Sequence, residues 1–81
     1  MEAVITGHAA KRYAARILGD TNGDASLLLT AFRDLEASVL RAEYVGDAGN
    51  GAVHWADPQN SRFVMVARKF LGRWRVLTVM V

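Results

Sequence analysis

The chain of 81 residues contains no cysteine. That excludes a disulfide framework and any metal site built on thiolates. Its two histidines do not make a zinc site without carboxylate help, so no metal and no cofactor are expected. No apolar run approaches the ~20 residues of a membrane-spanning helix. The opening "MEAVITGH" has neither a basic start nor a long apolar run, so no targeting segment is read and a cytoplasmic protein is the expectation. There is no P-loop, no GxSxG, no CxxC, no repeat and no low-complexity segment. Acidic residues are missing from one whole region: 58–81 carries Arg62, Arg68, Lys69, Arg73 and Arg75 and no acid. Residues 20–57, by contrast, hold seven acids against Arg33 and Arg41. Such segregation makes a basic face able to attract phosphates, or else a salt-bridged fold with the basic strands beside the acidic middle.

What is present bounds the fold. A chain this short makes one domain and buries only roughly 60% of the surface it exposes when unfolded. Its hydrophobic fraction of 52% implies a dense core or an apolar patch used by a partner. On a helical wheel, residues 8–18 gather Ala9, Ala10, Tyr13, Ala14, Ile17 and Leu18 on one side. His8, Lys11, Arg12, Ala15 and Arg16 fill the other. Thr6 is the N-cap and Gly19 the stop. "DTNGD" (20–24) is loop chemistry, and Asp24 caps a second helix over 25–37 with Leu28, Ala31, Phe32 and Leu35 inward. Asp20, Asn22 and Asp24 mimic the start of a calcium loop, but Ala25 and Ala31 stand where such a loop needs glycine and a carboxylate.

From Ala37 onward the period is that of strands. "SVLRAEYV" (38–45) reads as the first. "GDAGNG" (46–51) reads as a glycine-rich loop ending in an Asn-Gly hairpin signal. Strands at 52–56, 62–70 and 73–81 follow, with Pro58 in the turn "DPQNS" and Leu71-Gly72 reversing the last pair. Residues from Val76 on are apolar on both faces, as in a central strand. The expected fold is α+β: two N-terminal helices packed on a four-stranded antiparallel sheet, with a further short strand at Ala3–Ile5 available to an edge.

Three groups of residues carry candidate chemistry. His8, Arg12 and Arg16 recur every four residues and so share one helix face. Arginine offers forked donors to phosphate and histidine exchanges a proton near neutral pH; a solvated helix face has the same pattern. His54 lies in a predicted strand beside Ala52 and Ala56, and would pair with His8 as acid and base only if the two converge. Arg62, Arg68, Lys69, Arg73 and Arg75 interleave with Phe63, Phe70 and Trp74, the mixture that binds single-stranded nucleic acid. With Lys11 they form the candidate nucleic-acid contacts, Trp74 being assigned to the core.

"HAAKRYAARIL" (8–18) resembles the HAxxRxxxR helix that opens small proteins of the RelE/barnase-like superfamily, which includes ribonuclease toxins and related phage and mobile-element proteins. The outline is similar too: N-terminal helices, an antiparallel sheet, and a terminal strand with a threonine, here Thr78 of "RVLTVMV". The resemblance implies RNA binding or metal-independent cleavage, with His8 as base or acid, Arg12 and Arg16 on the phosphate, and Thr78 positioning it. The alternative is a non-catalytic phage or mobile-element protein that binds and inhibits a host protein. A homodimer through an unpaired strand edge is a further expectation.

Overall fold

The computed structural model describes residues 1–81. Its elements run β1 (Ala3–Ile5), α1 (Gly7–Arg16), α2 (Ala25–Arg41), β2 (Glu43–Gly49), β3 (Ala52–Asp57), β4 (Asn60–Phe70) and β5 (Arg73–Met80). The class is α+β as expected, but the sheet has five strands and is mixed, in the order β1-β5-β4-β3-β2. β2 to β5 form an antiparallel meander, and β1 lies parallel to β5, Ala3 opposite Trp74 and Ile5 opposite Val76. The short edge strand therefore forms, and it places β5 inside the sheet.

Local chemistry sets the helix starts. The Thr6 hydroxyl oxygen accepts from the Ala9 amide at 3.2 Å and the hydroxyl donates to the Val76 carbonyl at 2.7 Å. One side chain thus caps α1 and ties it to β5. Asp20 accepts from the amides of Asn22, Gly23 and Asp24, folding the loop. Asp24 then accepts from the Ser26 hydroxyl at 2.7 Å, and from the Ser26 amide at 2.8 Å as the cap of α2, and these two bonds, the hydroxyl's first, hold its carboxyl below the usual range.

Two expected boundaries are corrected. Residues 38–41 are helical, so α2 ends at Arg41 and not at Ala37. Ser38 and Val39 fall three and four residues after the buried Leu35 and are themselves buried, so the apolar stripe simply continues. The last turn is also anchored from outside. Asp57 accepts from the Ser38 hydroxyl at 2.7 Å and from Arg41 Nε and Nη2 at 3.1 and 2.7 Å. The glycine-rich segment, in turn, is strand as far as Gly49, with register shifts after Tyr44 and Asp47. The loop shrinks to Asn50-Gly51, both at positive φ (54° and 79°), the turn that matches strand twist.

Both helices cover one face of the sheet. The core joins Ala9, Tyr13 and Ala14 of α1 and Leu35 and Val39 of α2 to Phe63, Met65, Ala67, Val76 and Val79 of β4 and β5. Tyr13 packs edge-on against Phe63, with ring centroids 5.2 Å apart. Its hydroxyl donates to Asp34 at 3.0 Å, and burial followed by that carboxylate pushes the phenol up to about 12. The opposite face of the sheet carries no helix. Its edges are a three-residue β1 and a twice-bulged β2, both poor templates for pairing with another strand.

Candidate nucleic-acid interface

Strand alternation decides which side chains the helix-free face presents. In β4, Phe63, Met65 and Ala67 are buried against the helices, which turns Val64, Val66, Arg68 and Phe70 outward. A register shift between Val66 and Ala67 changes the alternation in β5. Val76 and Val79 both point to the core, while Arg73, Arg75 and Thr78 point outward. Register then lines up three cross-strand rows on the open face. His54, Val66 and Thr78 form the first, Ala52, Arg68 and Arg75 the second, and Phe70 with Arg73 the third.

The second and third rows form a basic and aromatic patch. Arg68 and Arg75 are direct neighbours across β4 and β5, an arrangement of like charges that weakens a sheet. Neither guanidinium has a carboxylate partner; the molecule's one ion pair is Arg41–Asp57, at 2.7 Å. Arg75 instead lies over the Phe70 ring, its Cζ 5.0 Å from the centroid. Phe70 is 56% exposed. Next to it, Leu71 is 88% exposed and holds φ at 51°, a conformation that costs a leucine about 1–2 kcal/mol. The β4–β5 tip thus shows solvent two large apolar side chains, one on a strained backbone, among unpaired arginines. Strain and exposure together are characteristic of binding sites.

The basic residues proposed from sequence separate into distinct places. Arg68, Arg73 and Arg75 share the open face at the tip. Lys69 is exposed but faces the helix side, its Nζ 5.5 Å from the Trp74 centroid. Trp74 itself packs edge-on against Trp55 at 5.4 Å and belongs with the core side, as expected. Arg62 lies near the start of β4, where its Nε donates to Asn60 at 3.5 Å. Six residues of strand put it about 20 Å from Arg68. Lys11 is exposed on α1.

His8, Arg12 and Arg16 form the exposed stripe of α1 that their spacing predicts. No hydrogen bond or ion pair joins any of them to Thr78, whose hydroxyl meets only the Val79 carbonyl at 3.4 Å. Thr78 is half-buried on the helix-free face, whereas α1 packs on the other. His54 also sits on the helix-free face, two strands in from β5. It shares its row with Thr78 and does not meet His8. Sequence reading missed the Val64–Val66 platform and the strained Leu71. Both strand faces of β4 read as apolar, and nothing local marks a leucine for positive φ.

The molecule is thus an α+β protein with a two-layer body and one open sheet face. Comparisons with protein-family models, with curated proteins and with solved structures found no match.

Proposed function

We propose that this protein binds single-stranded RNA across the helix-free face of its sheet at the β4–β5 tip. The carrying observation is the directly opposed Arg68–Arg75 pair, unpaired with any carboxylate, with Arg75 lying over the ring of exposed Phe70. Phosphates would neutralise the two guanidinium groups and a base would stack on the ring. The His54–Val66–Thr78 row offers the next position along the face, with hydrogen-bonding side chains on either side of an apolar one. The likeness of the α1 motif to the RelE/barnase-like helix supports RNA as the polymer. In that reading the His8, Arg12 and Arg16 stripe and Lys11 would supply a second set of phosphate contacts or the cleavage chemistry.

The test is anisotropy of labelled single-stranded RNA at several salt concentrations, in EDTA. Arg68→Ala with Arg75→Ala should weaken binding at least fivefold and reduce the salt slope by about 2. Unchanged affinity and slope would overturn the reading. The same samples, run on a gel, score cleavage. Cutting by the wild type that is lost in His8→Ala would extend the function to a metal-independent ribonuclease.

A second reading is a non-catalytic protein that binds and inhibits a host protein. It is favoured by exposed Leu40, Tyr44 and Val45 where α2 meets β2, at 74%, 60% and 57% exposure. Recovery of one stoichiometric protein from bacterial lysate, abolished by Leu40→Glu, would support it.

A further inference from the structure

On the helix side of the sheet, α2 and the β4–β5 end leave an open groove of about 910 Å³. That is within the range of small-molecule sites. Phe32, Val39 and Leu40 of α2 form one wall, and Trp55, Trp74 and Ile5 supply the apolar floor. The charges at its margins are Glu36 on the helix, Glu2 near the N-terminus, and Lys69 and Arg73 at the hairpin. None of the four is in an ion pair. Lys69 is the one held over the floor, its ammonium 5.5 Å from the centre of the Trp74 ring.

Trp55 adds a second observation. Its indole Nε1 is the one buried side-chain polar atom in the molecule without a hydrogen-bond partner. Buried donors are normally satisfied; this one is covered and unpartnered, so Trp55 offers the groove only the apolar surface of its ring.

We infer that this groove binds a small amphipathic carboxylate, its apolar body on Trp55 and Trp74 and its acid group on Lys69. Two aromatic rings suit a flat or chain-like apolar body. An ammonium over the Trp74 ring, outside any ion pair, suits a negative head group, which adds an ion pair that a neutral molecule of the same shape cannot. The Arg68–Arg75 pair and the Trp55–Trp74 floor lie on opposite faces of the sheet, and Arg73 at the hairpin borders both, so the test is placed on Lys69.

The protein's only two tryptophans both line the groove, so its two indole N–H signals in an amide correlation NMR spectrum report on this site alone. The probes are 4-phenylbutyrate and its neutral counterpart 4-phenylbutanol. With the acid, both indole signals should move saturably, with an affinity at least fivefold tighter than the alcohol's. Lys69→Gln, at an exposed position, should bring the acid down to the alcohol's affinity and leave RNA binding unchanged. Indole signals that stay still at millimolar acid would overturn the inference. Equal affinity for acid and alcohol, or a Lys69→Gln protein that binds the acid as well as the wild type, would do the same.

Discussion

The two faces of this sheet are built from the same strands and differ in what covers them. On the covered face, Phe63, Met65, Ala67, Val76 and Val79 are almost fully removed from solvent. On the open face, their immediate neighbours Val64, Val66 and Thr78 are only half-buried, and Arg68, Phe70 and Arg75 are exposed. Two helices are enough to bury one side of a sheet in a chain of this length, so the second side is free to carry a different chemistry. The covered face supplies the stability, and the open face sets two arginines directly side by side.

That contrast is broken most directly by paired truncations. Met65→Ala, at a fully buried site, should cost about 3 kcal/mol, and Val66→Ala one residue away about 1 kcal/mol or less. Urea unfolding of the two variants measures both. Similar losses would mean that the open face is covered in solution, for instance by a second copy.

The next effect concerns the one charge that the covered side buries. Asp57 is 1% exposed and held by Arg41, Ser38 and the Gln59 amide. The Arg41 guanidinium, above all, lowers its carboxyl to about 2, overcoming burial, which acts the other way. The folded-state value lies below the unfolded one, so this contribution is complete above about pH 4 and is lost as the pH falls from there towards 2. Asp57→Asn should cost about 2 kcal/mol at neutral pH and flatten the acid limb of a stability–pH curve. An unchanged acid limb would assign that limb to other carboxylates.

The smallest effect sharpens the comparison at the tip. Leu71→Asn places a residue that tolerates positive φ at the strained position, and should stabilise the fold by about 0.5–1 kcal/mol. If the exposed leucine serves binding, the same change should weaken RNA affinity while Tm rises.

Much of this architecture is legible locally. Thr6 and Asp24 are capping residues and cap. Asn50-Gly51 is a hairpin signal and makes the turn. Where the sequence misleads, a distant partner decides. Ser38 to Arg41 carry strand-like residues, but Asp57, sixteen to nineteen positions later, accepts hydrogen bonds from Ser38 and Arg41 and so tethers the end of the helix. Gly46 to Gly49 look like a loop until pairing with β3 draws them into the sheet. Alternation puts Arg73 and Arg75 on one strand face and Trp74 on the other, but spacing cannot show which face the helices cover or which residues meet across strands. Register sends Lys69 to one side, Arg68 and Arg75 to the other, and leaves Arg62 at the far end of the strand. The bulge beyond Val66 has no sequence mark, yet it decides which of Val76 to Val79 face the core.

The position of β5 also governs when the molecule can become itself. The last strand in sequence lies between β1 and β4, and Thr6, which caps the first helix, bonds to Val76, seventy residues later. A chain emerging from the ribosome therefore has β1 without its neighbour, α1 without its tether, and β4 with one side open until residues 73–80 are free. Folding waits for synthesis to pass that point, and Arg68 has no neighbour on that side until Arg75 arrives with β5. A protein made this way acquires its ordered surface after translation of β5 and not during it.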